Sequence, residues 1–245
     1  MVSRLQPTTQ PEAIYPESDG KPMADNTQQF RWIVVVKENL EWLFANDATV
    51  FIAGDLLWYP LEGRNDLSTA PDVLVVFGRP KGDRGSYQQW NEAGIAPQVV
   101  FEILSPSNTK AEMNRKLLFY DRHGVEEYYL YDPYGNCLNG WRRTEDFLEV
   151  IEPIDNWASP RLGIRFDLSG AELQIYRPDG QPFLSYVQIA GQLEQERQAK
   201  AQLEQRVEQM ETSLEQERAL REQEQRRSQA LAERLRAMGI DPDQA

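Results

Sequence analysis

Three residues of this chain, Asp72, Glu102 and Lys116, have types and surroundings that ask for a chemical explanation. Glu102 stands inside residues 98–104 (QVVFEIL), where its immediate neighbours are apolar. On a strand it alternates with Val100 and Leu104, while Val99, Phe101 and Ile103 point the other way. A carboxylate there needs a cation, a proton or an open crevice at the strand's carboxyl end. Burying even a neutral polar group without a partner costs about 2–7 kcal/mol. A solvated edge strand would satisfy Glu102 equally well. Asp72 follows Pro71 and opens the apolar run 73–77, which is also where an ordinary turn residue stands. Lys116 lies three residues after Met113 and four before Tyr120, flanking the apolar face of a helix. A lysine so placed can also snorkel into water, and its removal is expected to change stability little. The three together say more than each alone. Two carboxylates at the ends of neighbouring strands suit a hard divalent cation, and a nearby ammonium can orient water or balance charge on a phosphate. Metal-assisted phosphodiester hydrolysis needs those parts.

The rest of the composition narrows the chemistry further. Among 245 residues there is one cysteine, Cys137, and one histidine, His123. That excludes a disulfide framework, a zinc finger and a paired-histidine metal site, and leaves at most one Ser-His or Cys-His catalytic pair; carboxylates, a lysine and an oxygen-loving metal are the favoured tools. The 26 basic and 39 acidic residues give a net charge of -13, which argues against a protein that coats nucleic acid but not against an enzyme that approaches DNA locally. The first twenty residues are polar and proline-rich, and no run is long enough to cross a bilayer. A soluble, cytoplasmic protein with no membrane association is expected.

Secondary candidates carry less. In the loop 78–97, Arg79, Lys81 and Arg84 accompany Tyr87 and Trp90; a solvated glycine-rich loop is favoured there over base stacking and phosphate contact. Ser105, Pro106, Ser107 and Asn108 read as an ordered strand-to-helix turn, His123 as a helix end and Cys137 as an inert turn residue. Asp55 is placed to approach the site as an extra acid. Arg142 and Arg143 read as surface charges.

These residues need elements to position them. The spacing predicts a helix over 26–44 with Phe30, Ile33, Val34, Leu40 and Leu43 as its apolar face. Strand-like runs cover 49–59, 72–77 and 98–104. A helix over 110–122 opens with a capping box, Thr109 and Glu112, and ends at Gly124, where a left-handed cap is wanted. A strand over 126–132 completes a parallel crossover, and accessory strands fill 138–151 and 163–176. From about 188 the composition turns to Gln, Glu, Arg, Leu and Ala, a long helix by propensity. LEQER recurs at 193–197 and 214–218, three heptads apart. One register sets Ile189, Leu193, Leu203, Val207, Met210, Leu214, Leu231, Leu235 and Met238 at core positions, but also Glu196, Lys200, Glu217, Arg221, Glu224 and Ser228. Self-association through this seam is favoured over a solvated helix. The domains are then a flexible arm over 1–25, a body over 26–187 and a coiled-coil-like tail over 188–245.

Residues 97–133, PQVVFEILSPSNTKAEMNRKLLFYDRHGVEEYYLYDP, with PDVLVV upstream, resemble the Uma2 family of the PD-(D/E)xK nuclease superfamily. The specific parts are E-I-L-S-P-S, then K-L-x-x-Y and G-V-x-E-Y. The resemblance covers about 25–185. It implies an α/β restriction-endonuclease-like core, a mixed sheet flanked by helices, and a Mg²⁺-dependent endonuclease acting on DNA, with Mn²⁺ as a substitute. Asp72 and Glu102 match the two acidic positions, with the Ile103 carbonyl as a further metal ligand. Leu104 stands where the superfamily's lysine is usual, and Lys116 on the next helix matches its replacement. Gln98 and Glu112 depart from the family's frequent Asp. The alternative is an inactive nuclease fold serving as a binding or scaffold protein through its tail.

Overall fold

The computed structural model describes residues 14–20 and 22–239. Residues 14–185 and the described residues from 186 onward form two units. In the first, helix α1 (Thr27–Leu43) leads into β1 (Val50–Gly54), β2 (Trp58–Tyr59), β3 (Val73–Phe77) and β4 (Tyr87–Gln88). Then come β5 (Val99–Ile103), helix α2 (Lys110–Arg122), β6 (Glu127–Asp132), β7 (Cys137–Thr144) and β8 (Phe147–Val150). A hairpin of β9 (Arg165–Asp167) and β10 (Gln174–Tyr176) completes the unit.

Six strands form one mixed sheet in the order β1-β3-β5-β6-β7-β8. Within this sheet β5 and β6 pair in parallel; β1, β3 and β5 are antiparallel in turn, as are β6, β7 and β8, while β2 and β4 form a separate parallel pair. Both faces are covered, which is why β3 and β5 read as continuous apolar runs. Val99, Phe101 and Ile103 pack with Trp32, Ile33, Val36 and Leu40 of α1 and with Phe166 and Ile175 of the hairpin. Val100 faces the other layer, with Met113 and Tyr120 of α2 and with Trp58 and Tyr87. The alternation expected for residues 99–104 therefore holds.

Two elements differ from the sequence reading in an instructive way. The run 49–59 is two strands, broken at Asp55, whose φ is 50°. The buried face of α1 is also rotated from the expected one. Phe30 and Val34 are exposed, while Trp32, Val36 and the polar Gln29 and Asn39 are buried. Asn39 Nδ2 donates to the Leu184 carbonyl at 2.8 Å and its Oδ1 accepts from the Leu184 N–H, so a polar residue ties α1 to the end of the unit.

The second unit is the helix α3 (Tyr186–Ala237), 52 residues with none buried. No described helix is long and apolar enough to cross a membrane.

Candidate active site

The antiparallel pairing of β3 and β5 sets the site. Val73 pairs with Phe101, so Asp72, one residue before β3, lies beside the carboxyl end of β5. There its Oδ2 accepts from the Ile103 N–H at 2.6 Å. Glu102 is one residue from the end of β5, 3 % exposed. Helix α2 starts seven residues after β5 ends. The Thr109 hydroxyl caps it by accepting from the Glu112 N–H at 3.2 Å. The reciprocal half of the expected capping box is not what Glu112 does, because its Oε2 lies 3.5 Å from Asn108 Nδ2. Gly124 follows with φ 88°, the left-handed cap that its sequence position requires.

From α2, Lys116 Nζ reaches both Glu102 oxygens, at 2.8 and 2.7 Å, and lies 3.4 Å from the Ala70 carbonyl. Its side chain is 20 % exposed. One turn on, the Tyr120 hydroxyl donates to Glu102 Oε1 from a fully buried ring. Lys116 and Tyr120 are thus i and i+4 on one helix face, converging on one carboxylate. Sequence reading assigned Tyr120 to the apolar face and missed its hydroxyl; the signal available was the four-residue spacing.

The surroundings set the charge states. Burial raises the Asp72 carboxyl well above the ordinary carboxylate range, and the Glu102 charge adds to the effect; Lys116 and the Ile103 N–H oppose it. Burial works against the Lys116 ammonium, but the Glu102 and Asp72 charges prevail and raise its pKa. Tyr120 is pushed far up by burial and by Glu102, so it remains a donor.

Asp72, Glu102 and Lys116 line one open cleft of about 550 Å³ together with Asp19, Asp25, Asp55 and Glu112. Asp55 is half-buried there, and its carboxyl is raised by burial and by Asp19, with Lys116 opposing. Its N–H donates to the carbonyls of Pro71 and, at 3.3 Å, Asp72, which fixes the left-handed turn beside the site. The sequence expectation for Asp55 as an approaching acid thus has a geometric counterpart. The described part of the expected arm, residues 14–20 and 22–25, forms one wall of this cleft. The Tyr59 hydroxyl donates to the Pro16 carbonyl at 2.9 Å, Tyr15 packs on Tyr59 and Trp90, and Ser105 Oγ donates to Asp25 Oδ2 at 2.6 Å. Residues 1–13 and 21 lie outside the described residues.

Among the described residues no group of three or more His, Cys, Asp or Glu side chains is arranged around a single metal position. The Ile103 carbonyl, expected as a ligand, accepts from Gln29 Nε2 at 3.0 Å, a partner that sequence reading did not see. The donor chemistry nevertheless fits Mg²⁺. That ion keeps several waters and needs only one or two carboxylates, and the lining has six acidic side chains against one lysine.

Of the secondary candidates, Asp55, Ser107 and Asn108 line the cleft, whereas the residues of the loop 78–97, His123, Cys137 and Arg143 do not. Arg79 and Arg84 both pair with Glu92, at 2.6 and 2.7 Å, and Lys81 pairs with Glu41. Tyr87 is buried, with its hydroxyl on the Ile95 carbonyl. The loop's cations are thus paired within the fold, while Gly78, Gly82, Gly85 and Gly94 are exposed. His123 caps α2. Cys137 is exposed at the start of β7. Arg143 is not the surface charge expected: its guanidinium donates to the carbonyls of Val125, Asp121 and Asp146, which clamps the end of α2 to β7.

A mixed sheet with α1 on one face and α2 on the other, and an acid–acid–lysine cluster at the end of β5, define a restriction-endonuclease-like α/β protein. The family model of Uma2, described as putative restriction endonuclease, matches residues 21–170, and the chain belongs to that family. The crystal structure of a putative nuclease belonging to DUF820 from Anabaena variabilis ATCC 29413 is similar with a TM-score of 0.46 and 20% identity, over 62% of this chain and 86% of that one. No curated protein matches the chain.

Proposed function

We propose that the protein is a Mg²⁺-dependent DNA endonuclease that hydrolyses phosphodiester bonds in the cleft of Asp72, Glu102 and Lys116. The observation that carries this reading is the Lys116–Glu102 ion pair beside Asp72, in a cleft whose other titratable lining is acidic. Asp72 and Glu102 would hold the cation, with the Ile103 carbonyl at its margin and Asp55 as a supporting acid. When bound, the cation supplies an activated water and neutralises charge on the transferring phosphoryl group, and Mn²⁺ can stand in for it. The chain's own side chains do the positioning. Tyr120 fixes the Glu102 rotamer, the Ile103 N–H fixes Asp72, and Lys116 presents a permanent positive charge to a phosphate oxygen. Because the lining is otherwise negative, DNA enters only where cations offset that charge, so metal binding and substrate binding are coupled.

The test is incubation of supercoiled plasmid with the full chain in Mg²⁺, Mn²⁺ or EDTA. Nicked or linear product with either cation, and none in EDTA, is expected. An intact plasmid beside folded, cation-binding protein would transfer support to the second reading, a nuclease-fold binding protein acting through α3. The net charge of -13 favours that reading.

A further inference from the structure

Helix α3 bears an apolar stripe with none of its residues buried; Leu193, Leu203, Val207, Met210 and Leu214 are 42–67 % exposed. We propose that a second copy of the chain covers this stripe, with the two α3 helices antiparallel and centred between Val207 and Met210. The charges within the heptad seam carry the orientation.

In a parallel, in-register pair every core residue meets its own copy. Glu196, Lys200, Glu217, Arg221 and Glu224 would each oppose a like charge inside the seam. In the antiparallel pair, Val207 opposes Met210 of the second copy and Leu203 opposes Leu214, an uninterrupted apolar centre. On each side of it Lys200 then opposes Glu217, and Glu196 opposes Arg221. Four of the five charged seam residues thereby gain opposite partners, and Glu224 falls against Leu193. Moving the centre one layer, between Met210 and Leu214, sets Glu217 against Val207 and Arg221 against Leu203, so the register is specified as well as the direction.

The rim pulls the other way. A parallel pair would join Arg206 to Glu211, whereas the antiparallel one sets Glu204 near Glu211 and Arg197 near Arg218. Those side chains remain solvated and are screened over about 8–10 Å at ordinary salt, while like charges within a seam lose their water. The seam decides. The paired span, 189–228, is about 60 Å long, and it holds the Tyr186 ends of the two copies at opposite ends of the bundle. This inference does not rest on the nuclease reading.

Two measurements on the full chain test it, both with Cys137→Ser, because Cys137 is exposed. Under oxidation, Leu193→Cys protein coexpressed with Glu224→Cys protein forms the mixed disulfide, and Leu193→Cys alone forms little. Abundant Leu193→Cys homodisulfide would overturn the orientation. By sedimentation, Glu217→Lys, which sets lysine against Lys200, raises the dimer Kd tenfold or more, and the swap Lys200→Glu with Glu217→Lys restores it to within about threefold. A parallel pair would be indifferent to the single change. An unchanged Kd, or a wild-type chain that is monomeric at tens of micromolar, would overturn the proposal.

Discussion

At the scale of single residues, the site turns on a buried ion pair and a second carboxylate whose pKa burial raises. Glu102 is 3 % exposed and its cation is Lys116. Removing one partner of such a pair costs about 3–5 kcal/mol, because the other charge stays buried. Lys116→Ala is therefore predicted to lower stability by about 3 kcal/mol, contrary to what the residue's place beside the apolar face suggests. The double variant Lys116→Met with Glu102→Gln should recover most of that loss; chemical denaturation of both proteins measures it. Asp72 gives the pH dependence. Its folded-state pKa lies above the unfolded value, so its contribution to stability is fully present below the ordinary carboxylate range and is lost as pH rises through the raised pKa. In metal-free protein, Asp72→Asn should accordingly melt higher than wild type at neutral pH, with the gap closing as the solution is acidified. An equal gap at all pH values would remove Asp72 as its source. A bound divalent cation reverses the sign, since it favours the ionised carboxylate.

At the scale of elements, what was legible in the sequence follows from cost. A carboxylate in an apolar strand is expensive, so Glu102 announced a partner, and the resemblance to the family pointed to Lys116 on α2. The capping Thr109 and the cap Gly124 are local signals, and both hold. Thr109→Ala should cost about 1 kcal/mol, read from the unfolding midpoint. The break at Asp55 and the rotated face of α1 were not legible because their causes are distant. Gln29 and Asn39 are buried for carbonyl partners at Ile103 and Leu184, and no local period reveals them. Gln29→Ala leaves the Ile103 carbonyl without its donor, which costs about 1–3 kcal/mol. The docking of residues 14–20 and 22–25 belongs to the same class, since it depends on surfaces made by Tyr59, Trp90 and Ser105.

At the scale of the whole molecule, two units divide the work. The Uma2 body holds the cleft, and α3 offers the seam. Deleting residues from 186 onward should leave a cooperatively folding body whose mass by light scattering is that of one copy. Because a cation bound only by the native site stabilises it, Mg²⁺ or Mn²⁺ should raise the melting temperature of full-length and shortened protein alike. Glu102→Gln should abolish most of that rise. The central claim, that Asp72, Glu102 and Lys116 form one metal-dependent nucleolytic site, is tested most directly by plasmid cleavage rates. Wild type, Asp72→Asn, Glu102→Gln and Lys116→Ala are compared at one Mg²⁺ concentration, each at a temperature where circular dichroism shows it folded. The account predicts cleavage by wild type, abolished by EDTA, and a loss of about 10²-fold or more in each variant, the scale set by single electrostatic groups in other enzymes. Cleavage at the wild-type rate by any of the three folded variants would contradict it.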